Sequence, residues 1–104
     1  MLSGMDPIVE RVQTGVRLEK RLLKVLKGLA EYLDLSLGDL LEGVVLHAFE
    51  GKAPFGAETR AKIEQLKAVY GFDLGAEASH RMVERPARAA TRTGAPRRAK
   101  ARQG

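Results

Sequence analysis

One stretch of strand-like sequence, residues 11–18, constrains the fold of this chain more than any other feature. Its apolar or small side chains fall at alternate positions: Val12, Thr14, Val16 and Leu18. The positions between them are mostly polar: Arg11, Gln13, Gly15 and Arg17. A period of two is typical of a β-strand with one buried face. No second segment of the 104 residues has this pattern, so a strand here has no partner within its own chain.

An amphipathic helix is predicted after the strand-like segment. Apolar residues recur at spacings of three and four through residues 22–33, and charged residues fill most of the remaining positions. This period indicates a helix of about fourteen residues with one face toward a core. Asp34 and Leu35 interrupt the pattern, so we expect the helix to end there.

A second helix is predicted from Ser36 onward. A serine followed three residues later by Asp39 resembles a capping box. Its apolar stripe consists of six residues: Leu37, Leu40, Leu41, Val44, Val45 and Ala48. Gly51 is the expected C-cap, because glycine adopts the left-handed conformation at helix ends without strain. The predicted order up to this point is strand, helix, short turn and helix.

The strand and the two helical stripes together predict a homodimer. A lone strand leaves its N–H and C=O groups unpaired, and two helices of this size cannot bury such wide stripes between themselves. The economical solution pairs the same strand of two copies antiparallel about a two-fold axis, with the helices of both chains closing over its inner face. Folding and dimerisation would then be one event.

At this point the chain resembles a known family. Residues 12–51 resemble the ribbon-helix-helix DNA-binding proteins, the Arc, MetJ and CopG class of repressors and antitoxins, in strand length, helix lengths and the turn sequence DLS. The resemblance implies a mainly α fold with one short strand per chain and an intermolecular antiparallel two-stranded ribbon in an intertwined homodimer; the additional C-terminal helix is predicted separately, from the residues after Gly51. It also implies that the ribbon enters the major groove of double-stranded DNA.

The resemblance assigns DNA contacts to particular positions. Gln13, Gly15 and Arg17 would face base edges. Arg17 suits guanine O6/N7 and Gln13 suits adenine N6/N7, because each can form two parallel hydrogen bonds there. The phosphate contacts would fall at the start of the second helix and the start of the strand: Ser36, Leu37 and Arg11.

Three features of this sequence bear on that assignment. Gly15 stands where family members usually offer a polar side chain, so sequence discrimination should be modest; alternatively, Gly15 lets two backbones approach at the dimer axis. Asp39 adds negative charge near the expected phosphate. Four cations of the first helix either extend a phosphate-facing surface or form an ordinary solvated face: Lys20, Arg21, Lys24 and Lys27.

A linker and a third helix are predicted after Gly51. Residues 53–56 read as a linker, and residues 58–70 as a helix that presents Ile63, Leu66 and Tyr70. Three apolar turns are too few to fold alone, so this helix should dock on the first two. The predicted organisation is an N-terminal arm, a ribbon-helix-helix domain, a linker with the additional helix, and a disordered basic tail: residues 1–10, 11–51, 52–75 and 76–104.

Positive charge is concentrated at the C-terminal end. Residues 1–80 carry a net charge of −2, whereas residues 81–104 carry +7, with Glu84 as the single acidic residue. The eight cations are expected to add non-specific affinity for phosphate: Arg81, Arg85, Arg88, Arg92, Arg97, Arg98, Lys100 and Arg102. The first four have helical spacing and could instead form one basic stripe, which Pro86 interrupts.

The remaining composition disfavours an enzyme. The chain has no cysteine, and its two histidines, His47 and His80, have no second ligand at metal or catalytic spacing. No nucleophile elbow, phosphate-binding glycine loop or paired acid occurs, so we expect no cofactor and no catalytic residue. Residues 1–10 do not resemble a signal peptide and no apolar run has membrane-spanning length, which predicts a cytoplasmic protein.

The sequence leaves three functions open. The first is a homodimeric transcriptional regulator, in the manner of a repressor, that prefers particular DNA sequences. The second is an antitoxin-like interaction module that binds a protein partner through residues 53–104. The third keeps the fold and serves only as a scaffold, which the slightly acidic charge of residues 1–80 would allow.

Overall fold

A computed structural model describes residues 6–85 of the chain, and its described part contains three α-helices and one short 3-10 turn. The mainly helical class expected from the sequence is confirmed. The chain divides into two units, Met1–Asp73 and Leu74–Gly104. The first unit holds all three α-helices: α1 Lys20–Leu33, α2 Leu37–Phe49 and α3 Ala57–Tyr70.

Side-chain caps begin the first two helices. The Ser36 hydroxyl oxygen accepts a hydrogen bond of 3.1 Å from the Asp39 N–H at the start of α2, as the sequence predicts. At the start of α1, a carboxylate oxygen of Glu19 accepts a hydrogen bond of 2.8 Å from the Leu22 N–H. Each cap satisfies one of the amide groups that a helix leaves unpaired at its first turn.

Left-handed residues end all three helices. Asp34, Gly51 and Gly71 have φ angles of 61°, 71° and 63°. The residue after each of them donates back to a carbonyl of the last turn, as the Lys52 N–H does to His47 over 2.9 Å. This is the Schellman arrangement, in which a left-handed residue reverses the chain and satisfies the last carbonyls. Gly51 therefore lies where the sequence predicts a stop, one residue after the cap Glu50.

The core of the first unit is small and lies around α1. This helix contacts both α2 and α3. Leu29, Ala30 and Leu40 form the buried centre. Partly buried side chains from all three helices and the linker surround it: Leu26, Leu33, Val44, Phe55, Ile63 and Leu66. The third helix thus packs against the first, whereas the sequence predicts docking on both of the first two helices, and Tyr70 remains 37% exposed.

The segment predicted as a strand has no regular secondary structure in this chain. Residues 7–19 belong to no helix or strand, and residues 6–18 are all exposed. Val12 and Val16, the apolar positions of the alternating pattern, are 81% and 72% exposed. A strand that pairs only with a second copy forms no ladder within one chain, so the ribbon and the intertwined dimer stay predictions.

Candidate functional site

An open groove brings most of the predicted DNA-contacting residues together. One side of it is formed by residues 10–16 and Leu18 of the exposed segment 6–18, which joins the end of the predicted N-terminal arm to the strand-like segment and is called the arm from here on. Leu23 and Lys27 of α1 and the first turns of α2 form the remainder. Five residues singled out in the sequence line this groove: Arg11, Gln13, Gly15, Ser36 and Leu37. The groove therefore joins the expected base-reading segment to the expected phosphate-binding helix start.

An ion pair fastens the arm to α2. Arg11 donates two parallel hydrogen bonds to the Glu42 carboxylate, from Nε over 2.9 Å and from Nη2 over 2.8 Å. Its Nη2 also lies 3.8 Å from a carboxylate oxygen of Asp39. The hydrogen bonds to Glu42, together with its charge, raise the pKa of Arg11, and the same hydrogen bonds lower the pKa of Glu42. Arg11, expected on a phosphate, is thus paired with carboxylates.

The start of α2 carries mixed charge. Its amide groups and the positive end of the helix dipole favour an anion there. Asp39 and Glu42 line the same groove and oppose a phosphate, whereas Arg11 and Lys27 favour one. The Ser36 hydroxyl is engaged as the cap, and Leu37 is half-buried. An anion at this helix start would therefore need Arg11 as well as the helix dipole to offset the two carboxylates.

The three expected base-reading residues are exposed. Gln13, Gly15 and Arg17 all lie on the surface of the arm. Gln13 and Gly15 line the groove. Around Gly15 there is open space, because a Cβ added at that position meets no atom within 4 Å. Sterically, then, the chain would tolerate a side chain at Gly15.

Two exposed apolar side chains lie farther along α2 from the Arg11–Glu42 pair and form what we call the exposed apolar surface of α2. Leu46 and Phe49 are 62% and 80% exposed. They follow Glu42, the partner of Arg11, by one and two helical turns on the same side of α2. The sequence-based stripe on α2 did not include these two residues. The signal was nevertheless present, because positions 42, 46 and 49 have helical spacing.

Two of the four α1 cations, Arg21 and Lys24, contact the end of α3. Nη1 of Arg21 donates a hydrogen bond of 2.7 Å to the carbonyl oxygen of Gly71 and lies 3.7 Å from Asp73. The guanidinium carbon also lies 5.9 Å from the centre of the Phe72 ring. Lys24 likewise places its ammonium group 5.8 Å from the centre of the Tyr70 ring. Neither sequence-based alternative included this contact.

Glu19 links that contact to the arm. Nε of Arg21 donates to a Glu19 carboxylate oxygen over 3.2 Å, and the other oxygen caps α1. Burial acts to raise the pKa of Glu19, but the hydrogen bonds from Leu22 and Arg21, with the Arg21 charge, lower its pKa on balance. The residue that follows the arm is therefore tied to the end of α3 through a single arginine.

The described residues were also compared with the requirements of a metal site, a membrane-spanning helix and the predicted basic tail. Across residues 6–85, no three histidine or acidic side chains converge as ligands for a metal ion. His47 contacts its own helix, with Nδ1 2.7 Å from the Gly43 carbonyl oxygen. None of the helices in this part of the chain is both long enough and apolar enough to span a bilayer. Of the eight tail cations, Arg81 and Arg85 are described and exposed, and the other six lie outside the described residues.

Comparison with known proteins provides no relative: no family model, no curated protein and no solved structure matches the chain. The roles of its residues therefore depend on their own placement and chemistry. The groove beside the arm and the exposed apolar surface of α2 are the two features with most bearing on function.

Proposed function

We propose that this protein is a homodimeric ribbon-helix-helix DNA-binding protein that regulates transcription. The arms of two chains pair antiparallel over residues 11–18, and the resulting ribbon enters the major groove. One observation carries the proposal: the chain leaves its arm and the adjoining face of α2 uncovered, with Val12, Val16, Leu46 and Phe49 all more than 60% exposed.

The small size of the buried core is an argument for association with a second copy of the chain. The buried hydrophobic residues of the described chain are Val25, Leu29, Ala30 and Leu40, which is few for three helices. Small domains bury too little surface to be stable without additional support, and oligomerisation is one common source of it. Pairing two arms would cover Val12 and Val16 and would provide partners for the backbone groups of both strands.

The Arg11–Glu42 ion pair supports the DNA contact. It holds the arm beside the first turns of α2, so Gln13, Gly15 and the helix start share one groove. When a duplex enters, Gln13 and Arg17 face base edges while Ser36 and Leu37 face a phosphate. Arg11 can then exchange part of its contact with Glu42 for that phosphate.

Selection of bound sequences from a random pool of DNA duplexes tests this function. The wild-type chain should return a roughly palindromic motif, because a two-fold symmetric dimer reads two equal half-sites. Arg17→Ala should lose preference at one position of each half-site, at a cost of about 1–3 kcal/mol per base pair. Arg60→Ala, an exposed arginine on α3, is the matched control and should return the wild-type motif. A pool without enrichment would contradict the proposal.

A protein-interaction module is the second candidate. The observation in its favour is a pair of exposed apolar residues after α3, Met82 at 53% and Val83 at 94%. Such residues can anchor a partner if they become buried in its pocket. If this function is correct, a Met82→Ser, Val83→Ser double variant should lose a partner that co-purifies with the wild-type chain. Unchanged co-purification would rule out this site.

A further inference from the structure

Glu19 is the joint between the arm and α1. Leu18, the last residue of the arm, directly precedes it, and Lys20 begins the helix. The φ and ψ angles of Glu19 are −57° and 138°, close to the extended polyproline II conformation, whereas the residues after it are helical. The direction in which the arm leaves α1 therefore depends on the conformation of this residue.

Hydrogen bonds fix Glu19 at this position. One carboxylate oxygen accepts from the Leu22 N–H over 2.8 Å, and the other accepts from Nε of Arg21 over 3.2 Å. The carbonyl oxygen of Glu19 also accepts from the Leu23 N–H over 3.0 Å, which closes the first turn of α1. The Glu19 side chain is only 24% exposed, so water competes for these bonds less than at an open surface.

The first turn of α1 carries the wrong charge for its position in the helix. It contains no acidic residue, and Lys20 and Arg21 place positive charge at the positive end of the helix dipole, with Lys24 one turn later. Cations at this end of a helix are destabilising, because the unpaired N–H groups there are themselves positive. Glu19 offsets part of this charge from the capping position.

The end of α3 offsets more of this charge through Arg21. Nη1 of Arg21 donates to the Gly71 carbonyl oxygen over 2.7 Å and lies 3.7 Å from a carboxylate oxygen of Asp73. The carbonyl groups at the end of a helix carry the negative end of its dipole, so this contact brings opposite charges together. One guanidinium group therefore joins the joint of the arm to a helix end 50 positions away from Arg21.

We propose that Arg21 is a positioning residue for DNA binding: by bridging Glu19 and the end of α3, it keeps the first turn of α1 closed and the arm in one direction. The inference rests on the proposed DNA-binding function and adds to it a role for α3, which supports the joint from which each arm reaches its partner and the DNA. Arg21 acts through Glu19 and does not itself contact the duplex. Without the bridge the first turn frays, and each released residue must be ordered again on binding.

Hydrogen exchange of the free, full-length chain tests the bridge. Arg21→Ala should accelerate exchange of the Leu22 and Leu23 amides about fivefold, the factor that corresponds to the loss of one ordinary hydrogen bond. Ile63→Val removes one methylene from the partly buried face of α3 and is the matched control for a loss of stability alone. It should leave both amides at their wild-type rates. Equal rates in Arg21→Ala and the wild type would overturn the bridge.

Binding to a duplex that carries the motif selected by the wild-type chain tests the positioning role. Arg21→Ala should lower the affinity about tenfold, because ordering one released residue costs roughly that factor. Its selected motif and its slope of log K against log salt should stay as in the wild type. A residue that bound phosphate directly would instead make this slope shallower by about 0.9 on substitution. Ile63→Val should bind as the wild type does when both variants retain the wild-type helix content.

The outcomes separate this inference from the proposed function. Wild-type affinity in Arg21→Ala, a shallower slope, or an equal loss of affinity in Ile63→Val would overturn the positioning role and leave the DNA-binding function standing. A wild-type chain that selects no motif would overturn the proposed function, and the positioning role with it.

Discussion

The side chain of Leu66 in α3 lies directly over Gly28 in α1, where a Cβ added to the glycine would stand 3.0 Å from Leu66 Cδ2. This close approach lets α3 pack against the centre of α1, beside the buried residues Leu29 and Ala30. A larger residue at position 28 must displace Leu66 or the whole helix. Gly28 thus explains how a helix with few apolar turns still reaches the core.

Enlarging position 28 should destabilise the fold. Gly28→Leu is expected to lower the free energy of unfolding by about 1–3 kcal/mol, because overpacking forces neighbouring side chains and backbone to move. Gly43→Ala in α2 is the control, since a Cβ there meets nothing within 4 Å. It should raise stability by about 0.5–1 kcal/mol through helix propensity. Chemical denaturation measures both, and an equal sign for the two changes would contradict the packing described.

The left-handed residues at the helix ends predict a pair of opposite effects. Gly71→Ala should destabilise the protein by roughly 1–2 kcal/mol, because a Cβ is unfavourable at a φ of 63°. Asp34 adopts a φ of 61° without being glycine, so Asp34→Gly should relieve strain and raise the melting temperature. Thermal unfolding followed by circular dichroism gives both shifts. A lower melting temperature for Asp34→Gly would mean that its side chain contributes more than its backbone strain costs.

The helices were predictable from sequence because their signals are local. Periodicity and capping residues such as Ser36 act within a few positions of each other, and α2 begins and ends close to its predicted limits. The contact between Arg21 and Gly71 was not predictable, because it joins positions 50 residues apart and uses a main-chain oxygen that leaves no mark in the sequence.

The arm shows a second reason why the tertiary contacts of this chain could not be predicted from its sequence. The alternation of apolar and polar residues at positions 11–18 indicates which side chains prefer to be buried, but it does not indicate whether the same chain or a second copy covers them. In one chain Val12 and Val16 stay exposed. The Arg11–Glu42 pair was equally hidden, because the sequence indicates charges but not which carboxylate an arginine will meet across 31 positions.

The Arg11–Glu42 pair predicts that the arm loosens in acid. The folded pKa of Glu42 lies below its ordinary value, so the pair contributes above the ordinary glutamate pKa, about 4.3, and is lost as the pH falls through the lowered folded value. Limited proteolysis of the arm should therefore accelerate in that acidic range. Glu42→Gln should show fast cleavage at neutral pH already, with little further change in acid.

Glu31→Gln provides the matched control for this effect. Glu31 is an exposed carboxylate on α1 and does not line the groove, so its substitution should leave the pH profile of arm cleavage as in the wild type. If Glu42→Gln kept a slow, wild-type profile at neutral pH, the ion pair would not be what holds the arm.

The proposed dimer predicts an unusual cost for replacing an exposed residue. Phe49 is 80% and Val69 71% exposed in one chain, so on that basis either could become serine with a change within about 0.5 kcal/mol. If a second copy covers the α2 surface, Phe49→Ser should instead lower the free energy of unfolding by well over 1 kcal/mol, and the unfolding midpoint should fall at every protein concentration. Val69→Ser on α3 should behave as an ordinary surface change. Denaturation at several protein concentrations, with mass measured by sedimentation equilibrium, distinguishes an interface residue from an ordinary surface residue. Equal and small effects of the two substitutions would place Phe49 outside the interface, because a residue buried between two chains cannot be replaced by serine without weakening their association.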